Sequence, residues 1–129
     1  MNIAKKRFRK EERLCSQKTI DALFENGNIF YSGVLKVIWK VGNNDVATVK
    51  AAFSAPKKKF KLAVTRNLIK RRMREAYRIN KHILYDHVSE KNISVSLFFI
   101  LRAENAPSYK TTEKSILEAL IKLISLIKT

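Results

Sequence analysis

Residues 65–85 constrain the fold more than any other stretch of the chain. At ~100° per residue, Ile69, Met73, Ala76, Tyr77, Asn80, Ile83 and Leu84 fall on one side of a helix. Lys70, Arg74, Arg78, Asn67 and Arg71 fall on the adjoining side. Such a helix must bury its apolar stripe, while its cationic side stays in water or meets an anion. The repeat Arg66-Lys70-Arg74-Arg78 spans ~18 Å at ~1.5 Å per residue, a length suited to a phosphate-lined groove.

The rest of the chain supplies a surface for that stripe. Residues 34–41 alternate, with Leu35, Val37, Trp39 and Val41 on one face and Lys36, Ile38 and Lys40 on the other, which predicts a strand with one core face. Gly42-Asn43-Asn44-Asp45 is turn chemistry, so a hairpin to a second strand, Val46–Ala55, is expected. Pro56 closes that strand, because proline donates nothing to a ladder. Residues 94–102 read as a third strand, buried on both faces toward its end. Its link to Val46–Ala55 through the helix makes the two candidate parallel neighbours. Ser16 caps a short helix over 17–26 with Ile20, Leu23 and Phe24 as its apolar side, ended by Asn26-Gly27-Asn28. After Ala106-Pro107-Ser108, a last amphipathic helix carries Ile116, Leu117, Leu120, Ile121, Ile124 and Ile127. Residues 1–14 lack apolar periodicity and read as a basic, mobile arm in front of one domain over 15–129. The expected order is α-β-β-α-β-α. That is a single small α+β domain with helices packed on a small central sheet. A length of 129 residues fits one domain.

Charge narrows the function. The chain has 27 Lys and Arg against 11 Asp and Glu, a formal charge of +16. Residues 1–18 and 57–78 carry nearly all of the excess, so an almost neutral domain holds two basic grips. That pattern points to a polyanion partner rather than to a mixed, merely solvated surface. The longest clean apolar run, Leu97–Leu101, is too short for a membrane span. Glu11, Glu12 and Arg13 stand where a signal peptide needs an apolar stretch, so a cytoplasmic location is expected. One cysteine, Cys15, leaves no internal disulfide and no cysteine-rich zinc site.

Catalytic groups are sparse. No two acids sit at a spacing that suggests a metal cup, and Glu11-Glu12 reads as a solvated pair in a basic arm. His82 and His87 fall about 140° apart on a helix and do not form a joint ligand site. Gly27, Gly33 and Gly42 are the only glycines, too few for a phosphate-cradling loop. The expectation is a protein with no active site, metal or cofactor of its own. What remains is binding: arginine forks onto phosphates and stacks on bases, and lysine adds point charge. Phe24, Phe30 and Tyr31 offer stacking surfaces near the sheet, the usual platform for single-stranded nucleic acid.

Residues 57–78 run Lys57-Lys58-Lys59-Phe60-Lys61-Leu62-Ala63-Val64-Thr65-Arg66-Asn67-Leu68-Ile69-Lys70-Arg71-Arg72-Met73-Arg74-Glu75-Ala76-Tyr77-Arg78. This block closely resembles the signature of the bacterial ribonuclease P protein family: lysines, Ala-Val, Arg-Asn-Arg, Lys-Arg, then Arg-Glu and an aromatic. Arg13-Leu14 and the helix Ile20–Gly27 resemble the family's opening, so the likeness covers nearly the whole chain. Three positions depart from the pattern: Leu68 replaces the second arginine of Arg-Asn-Arg, Lys61 a common small residue, and Ile20 the first of two aromatics.

The resemblance implies a division of labour. A large RNA subunit, holding Mg²⁺, would be the catalyst that removes the 5′ leader of precursor tRNA. The protein would be the grip, monomeric in the holoenzyme. Lys57, Lys58, Lys59, Lys61, Arg66, Asn67, Lys70, Arg71, Arg72, Arg74 and Arg78 would bind RNA. Ile20, Phe24, Lys36 and Ile38 would hold the leader in a cleft between the first helix, the sheet and the second helix. The family also implies a left-handed crossover between its parallel strands. A structural, ribosomal-type RNA-binding protein explains the charge equally well but not the ordered signature. A stand-alone nuclease lacks its acids, and a membrane-surface protein would have only the weak basic face of the last helix.

Overall fold

The structure, a computed structural model, describes residues 8–42 and 47–127. Its elements are α1 (Gln17–Asn26), β1 (Asn28–Ser32), β2 (Leu35–Gly42), β3 (Thr48–Ser54), α2 (Ala63–Asn80), α3 (His82–Lys91), β4 (Ser94–Leu101) and α4 (Tyr109–Ile127). The α+β class and the small central sheet stand as expected, with two additions to the order. A fourth strand, β1, precedes the alternating one, and the long helix is two helices that meet at Lys81.

The sheet order is β1-β2-β4-β3. β2 does not form a hairpin with β3, as expected from Gly42–Asp45; it pairs antiparallel with β1 on one side and β4 on the other. β3 runs parallel to β4, as the helical link between them suggested. Residues 43–46, with most of the expected turn and Val46, lie outside the described residues. The β1–β2 turn needs Gly33, whose φ is 54° and whose Cβ position lies 2.3 Å from Ser115 Oγ. That hydroxyl accepts from the Val34 amide at 3.2 Å, and Ser32 Oγ donates to the Ser115 carbonyl at 2.9 Å. The hairpin is thereby bolted to α4.

One sheet face builds the main core. Leu35, Val37, Val95, Leu97, Phe99 and Leu101 meet Ile69, Met73, Ala76 and Tyr77 of α2, Leu84 and Val88 of α3, and Ile116, Leu120 and Leu123 of α4. On α4 the expected apolar face is rotated: Ile121 is exposed, and Leu123, passed over in the sequence, is buried. The opposite sheet face is covered only in part, by α1. There Leu14, Leu23 and Ile38 form a second cluster with Ile20, Ala52, Phe98 and Ile100 against it. Gly27 permits this approach, since a Cβ there would lie 2.7 Å from Ile38 Cγ2.

The expected arm is also corrected. Residues 1–7 lie outside the described residues, but 8–14 pack on the body. The Phe8 ring sits edge-on to Phe53 and Tyr77, at 5.7 and 5.6 Å between centroids. Lys10–Glu12 make one 3₁₀ turn, and the Leu14 amide donates to the Ala51 carbonyl at 3.0 Å on the free edge of β3. Apolar anchors spaced irregularly (Phe8, then Leu14) leave no period to read.

Among the described residues, no helix is long and apolar enough to cross a membrane.

Candidate nucleic-acid interface

Two surfaces carry the residues singled out in the sequence. The first is α2 with the turn before it. Phe60 is buried and anchors the turn, and its amide donates to the Pro56 carbonyl at 3.1 Å. This leaves Lys57, Lys58 and Lys59 exposed on a fixed loop. Arg66 lies on the cationic stripe, but its guanidinium is turned back, with Nη1 donating to the carbonyls of Phe60 and Lys61 at 2.7 and 2.9 Å. It acts as a clamp on the loop–helix junction, where Leu62, the N-cap position, offers no side-chain cap.

Other cations of the block are partly spent within the protein. Arg72 Nη1 donates to the Pro107 carbonyl at 2.6 Å, tying α2 to the start of α4. Arg78 grips both oxygens of Glu75, at 2.6 and 3.1 Å, and the hydrogen bond from Arg78 holds the Glu75 carboxyl below its ordinary range. Lys59 reaches Glu104 at 3.1 Å across open surface. Lys57, Lys58, Lys61, Asn67, Lys70, Arg71 and Arg74 have no side-chain hydrogen bond or ion pair among the described residues. Arg71, Arg74 and Asn67 are exposed, and Lys70 is half-buried. These side chains leave unspent cations on α2 and on the turn before it.

The second surface is the sheet face that α1 leaves uncovered. Phe24 is 49% exposed, and its ring lies 5.1 Å from that of Phe98. Lys36 stands in register between Tyr31 of β1 and Ile100 of β4. Ile20 is half-buried at the margin. Ile38, expected to line this cleft, is only 2% exposed and lies beneath α1 against Leu14 and Leu23. It supports the floor and offers almost no surface to a ligand. Phe30, expected as a stacking surface, points into the main core, and the Lys122 ammonium lies over its ring. Tyr31, one residue on, faces outward and leaves its ring exposed.

Sequence reasoning did not single out Phe98 and Ile100. Their signal was present: β4 alternates, so once Leu97 and Phe99 face the core, residues 98 and 100 face α1.

The two surfaces meet at the β3 edge. A groove of about 420 Å³ there is lined by Arg74 from α2, Phe53, Ala52 and Ala51 from β3, and Leu14, Arg13, Cys15 and Phe8. Arg13 and Arg74 make its rim cationic. Cys15 is exposed. Among the described residues, no three His, Cys, Asp or Glu side chains converge on a metal-sized site. His82 and His87 both lie on α3.

Comparison with known proteins identifies the family and the fold. A family model described as Ribonuclease P matches residues 8–125. The ribonuclease P protein component of Porphyromonas gingivalis is 36% identical over 115 residues, which cover 88% of this chain and 84% of that protein. The corresponding component of Chlorobium phaeobacteroides is 30% identical over 120 residues, covering 84% of this chain and 82% of that protein. In three dimensions, the Staphylococcus aureus RNase P protein superposes with a TM-score of 0.65 over 88% of this chain and 95% of that one, at 21% identity.

Proposed function

The chain belongs to the ribonuclease P protein family, and from that premise we propose that it grips two RNAs for one cleavage. The partners are the catalytic RNA subunit and the 5′ leader of precursor tRNA. In the holoenzyme, one copy works in the cytoplasm. The RNA subunit with its Mg²⁺ would supply the chemistry, hydrolysis of one phosphodiester in which the P–O bond to the leader's 3′ oxygen breaks, the leader leaves with a 3′ hydroxyl and the tRNA keeps the 5′ phosphate.

The protein's residues hold and screen. Lys70, Arg71 and Arg74, with Lys57, Lys58 and Lys61, take phosphates of the RNA subunit and lower the repulsion between two polyanions. Phe24 and Phe98 stack leader bases, and Lys36 takes a leader phosphate. Arg66, Arg72 and Ile38 act by keeping those surfaces in place. The observation that supports this reading is the groove at the β3 edge, which Arg74 of the cationic helix lines together with Ala51, Ala52 and Phe53 of β3 and with Arg13, Leu14 and Cys15 of the segment before α1.

The test is cleavage of precursor tRNA by a bacterial ribonuclease P RNA at low Mg²⁺, with and without the protein. Stimulation of correct 5′ cleavage, with none by the protein alone, supports the reading. RNA binding without stimulation favours a structural RNA-binding protein instead.

A further inference from the structure

The far edge of the open sheet face carries a ready-made stack. The Arg102 guanidinium lies over the Tyr31 ring, with Cζ 4.3 Å from the centroid. Tyr31 is 52% exposed, and Arg102 is exposed as well. The backbone beneath is fixed, since the Arg102 amide donates to the Val34 carbonyl at 2.6 Å. Neither residue supports the core.

We propose that Tyr31 and Arg102 form a further base-stacking step for the leader, beyond the one at Phe24. The proposal rests on the leader reading given above and adds a place and an order to it. Tyr31, Lys36, Ile100 and Ser54 lie in one register row across β1, β2, β4 and β3. Three strand spacings of ~4.8 Å make that row ~14 Å long. At its β3 end the chain continues through Pro56 into Lys57–Lys59; at its β1 end stand Tyr31 and Arg102. A single strand crossing the sheet therefore passes from a cationic turn, over an apolar Ile100 and a central ammonium, to an aromatic ring with a guanidinium on it.

That succession of charge and π-surface matches a phosphate–base chain. Arginine suits the position, because its plane stacks on a base as readily as on tyrosine. The order follows from the topology. The RNA subunit is held at the β3 edge and α2, so the β1 edge takes leader nucleotides farther from the cleavage site than those at Phe24.

The experiment measures affinity of reconstituted holoenzyme for precursor tRNAs of graded leader length, starting from mature tRNA. Tyr31→Ala is expected to weaken binding roughly tenfold, but only above a threshold leader length. That threshold should exceed the one for Phe24→Ala, and Tyr31→Phe should restore affinity because the ring is kept. A thermal melt of each variant checks the fold. If Phe24→Ala is leader-dependent while Tyr31→Ala changes nothing at any length, the second step is overturned and the leader reading stands. If Tyr31→Ala weakens mature tRNA as much as precursor, the step is overturned as well. If neither variant depends on the leader, both fall.

Discussion

The Glu12 carboxylate and the Lys81 ammonium, 69 positions apart, meet in a largely buried ion pair at the joint between α2 and α3. The same carboxylate oxygen accepts from Tyr85 OH at 2.6 Å, and its partner oxygen accepts from the Arg9 amide at 2.6 Å. A segment that looks like a free arm in the sequence is thus fastened to the joint between α2 and α3.

This pair sets a pH dependence. Burial pushes the Glu12 carboxyl up, but hydrogen bonds from Lys81, Tyr85 and the Arg9 amide, with the Lys81 charge, outweigh it and leave the group below its ordinary value of 4.5. A depressed folded-state pKa gives stability that is complete above the unfolded value and lost as pH falls through the folded one. Glu12→Gln should lower the thermal midpoint at neutral pH, at a cost of at most ~3–5 kcal/mol, the range for breaking a buried pair. It should also flatten the decline in stability below about pH 4.5. Melting curves across pH check this, and parallel acid limbs in both proteins would count against it.

Neighbouring cations on α2 should behave differently. Arg66→Ala removes two charged hydrogen bonds at the loop–helix junction and should cost ~1–3 kcal/mol of stability. Lys70→Ala and Arg74→Ala should leave stability within ~0.5 kcal/mol. Each of those two should instead reduce the slope of log affinity for the RNA subunit against log salt by ~1. Unchanged slopes in both would make that face bystander charge.

Glu75, the lone acid of the basic block, is spent on Arg78 at the surface. Glu75→Gln should cost at most ~1 kcal/mol, as for exposed pairs, and should leave cleavage intact. Cleavage assays at saturating protein decide it. Loss of cleavage with binding and fold preserved would mean that the carboxylate takes part in the chemistry.

The contrast between Arg66 and Lys70 also shows where the sequence stops being legible. Both lie on the same four-residue stripe, and periodicity cannot tell a guanidinium turned back onto carbonyls from an ammonium facing solvent. Helix α1 was readable because Ser16 caps it, accepting from the Thr19 amide at 3.3 Å, and its apolar residues share one side. β1 was not, because Phe30 and Ser32 point inward while Ile29 and Tyr31 point outward, so apolar side chains on both faces hide the alternation. The break at Lys81 is equally silent: the residue keeps helical angles, φ −61° and ψ −24°. The insertion of β4 between β2 and β3 is a long-range pairing that no local pattern encodes. For the same reason Ile38 looked outward-facing, since only the placement of α1 covers it.

The central claim is that the sheet face beside α1 reads the leader while α2 holds the RNA subunit. The most direct measurement compares holoenzyme affinity for precursor and mature tRNA, using the normal protein, Phe24→Ala and Lys36→Ala. The account predicts that each variant loses affinity for precursor tRNA, by ~1–3 kcal/mol for the stacking ring, while affinity for mature tRNA and for the RNA subunit barely moves. Equal losses for precursor and mature tRNA would contradict a leader site on that face.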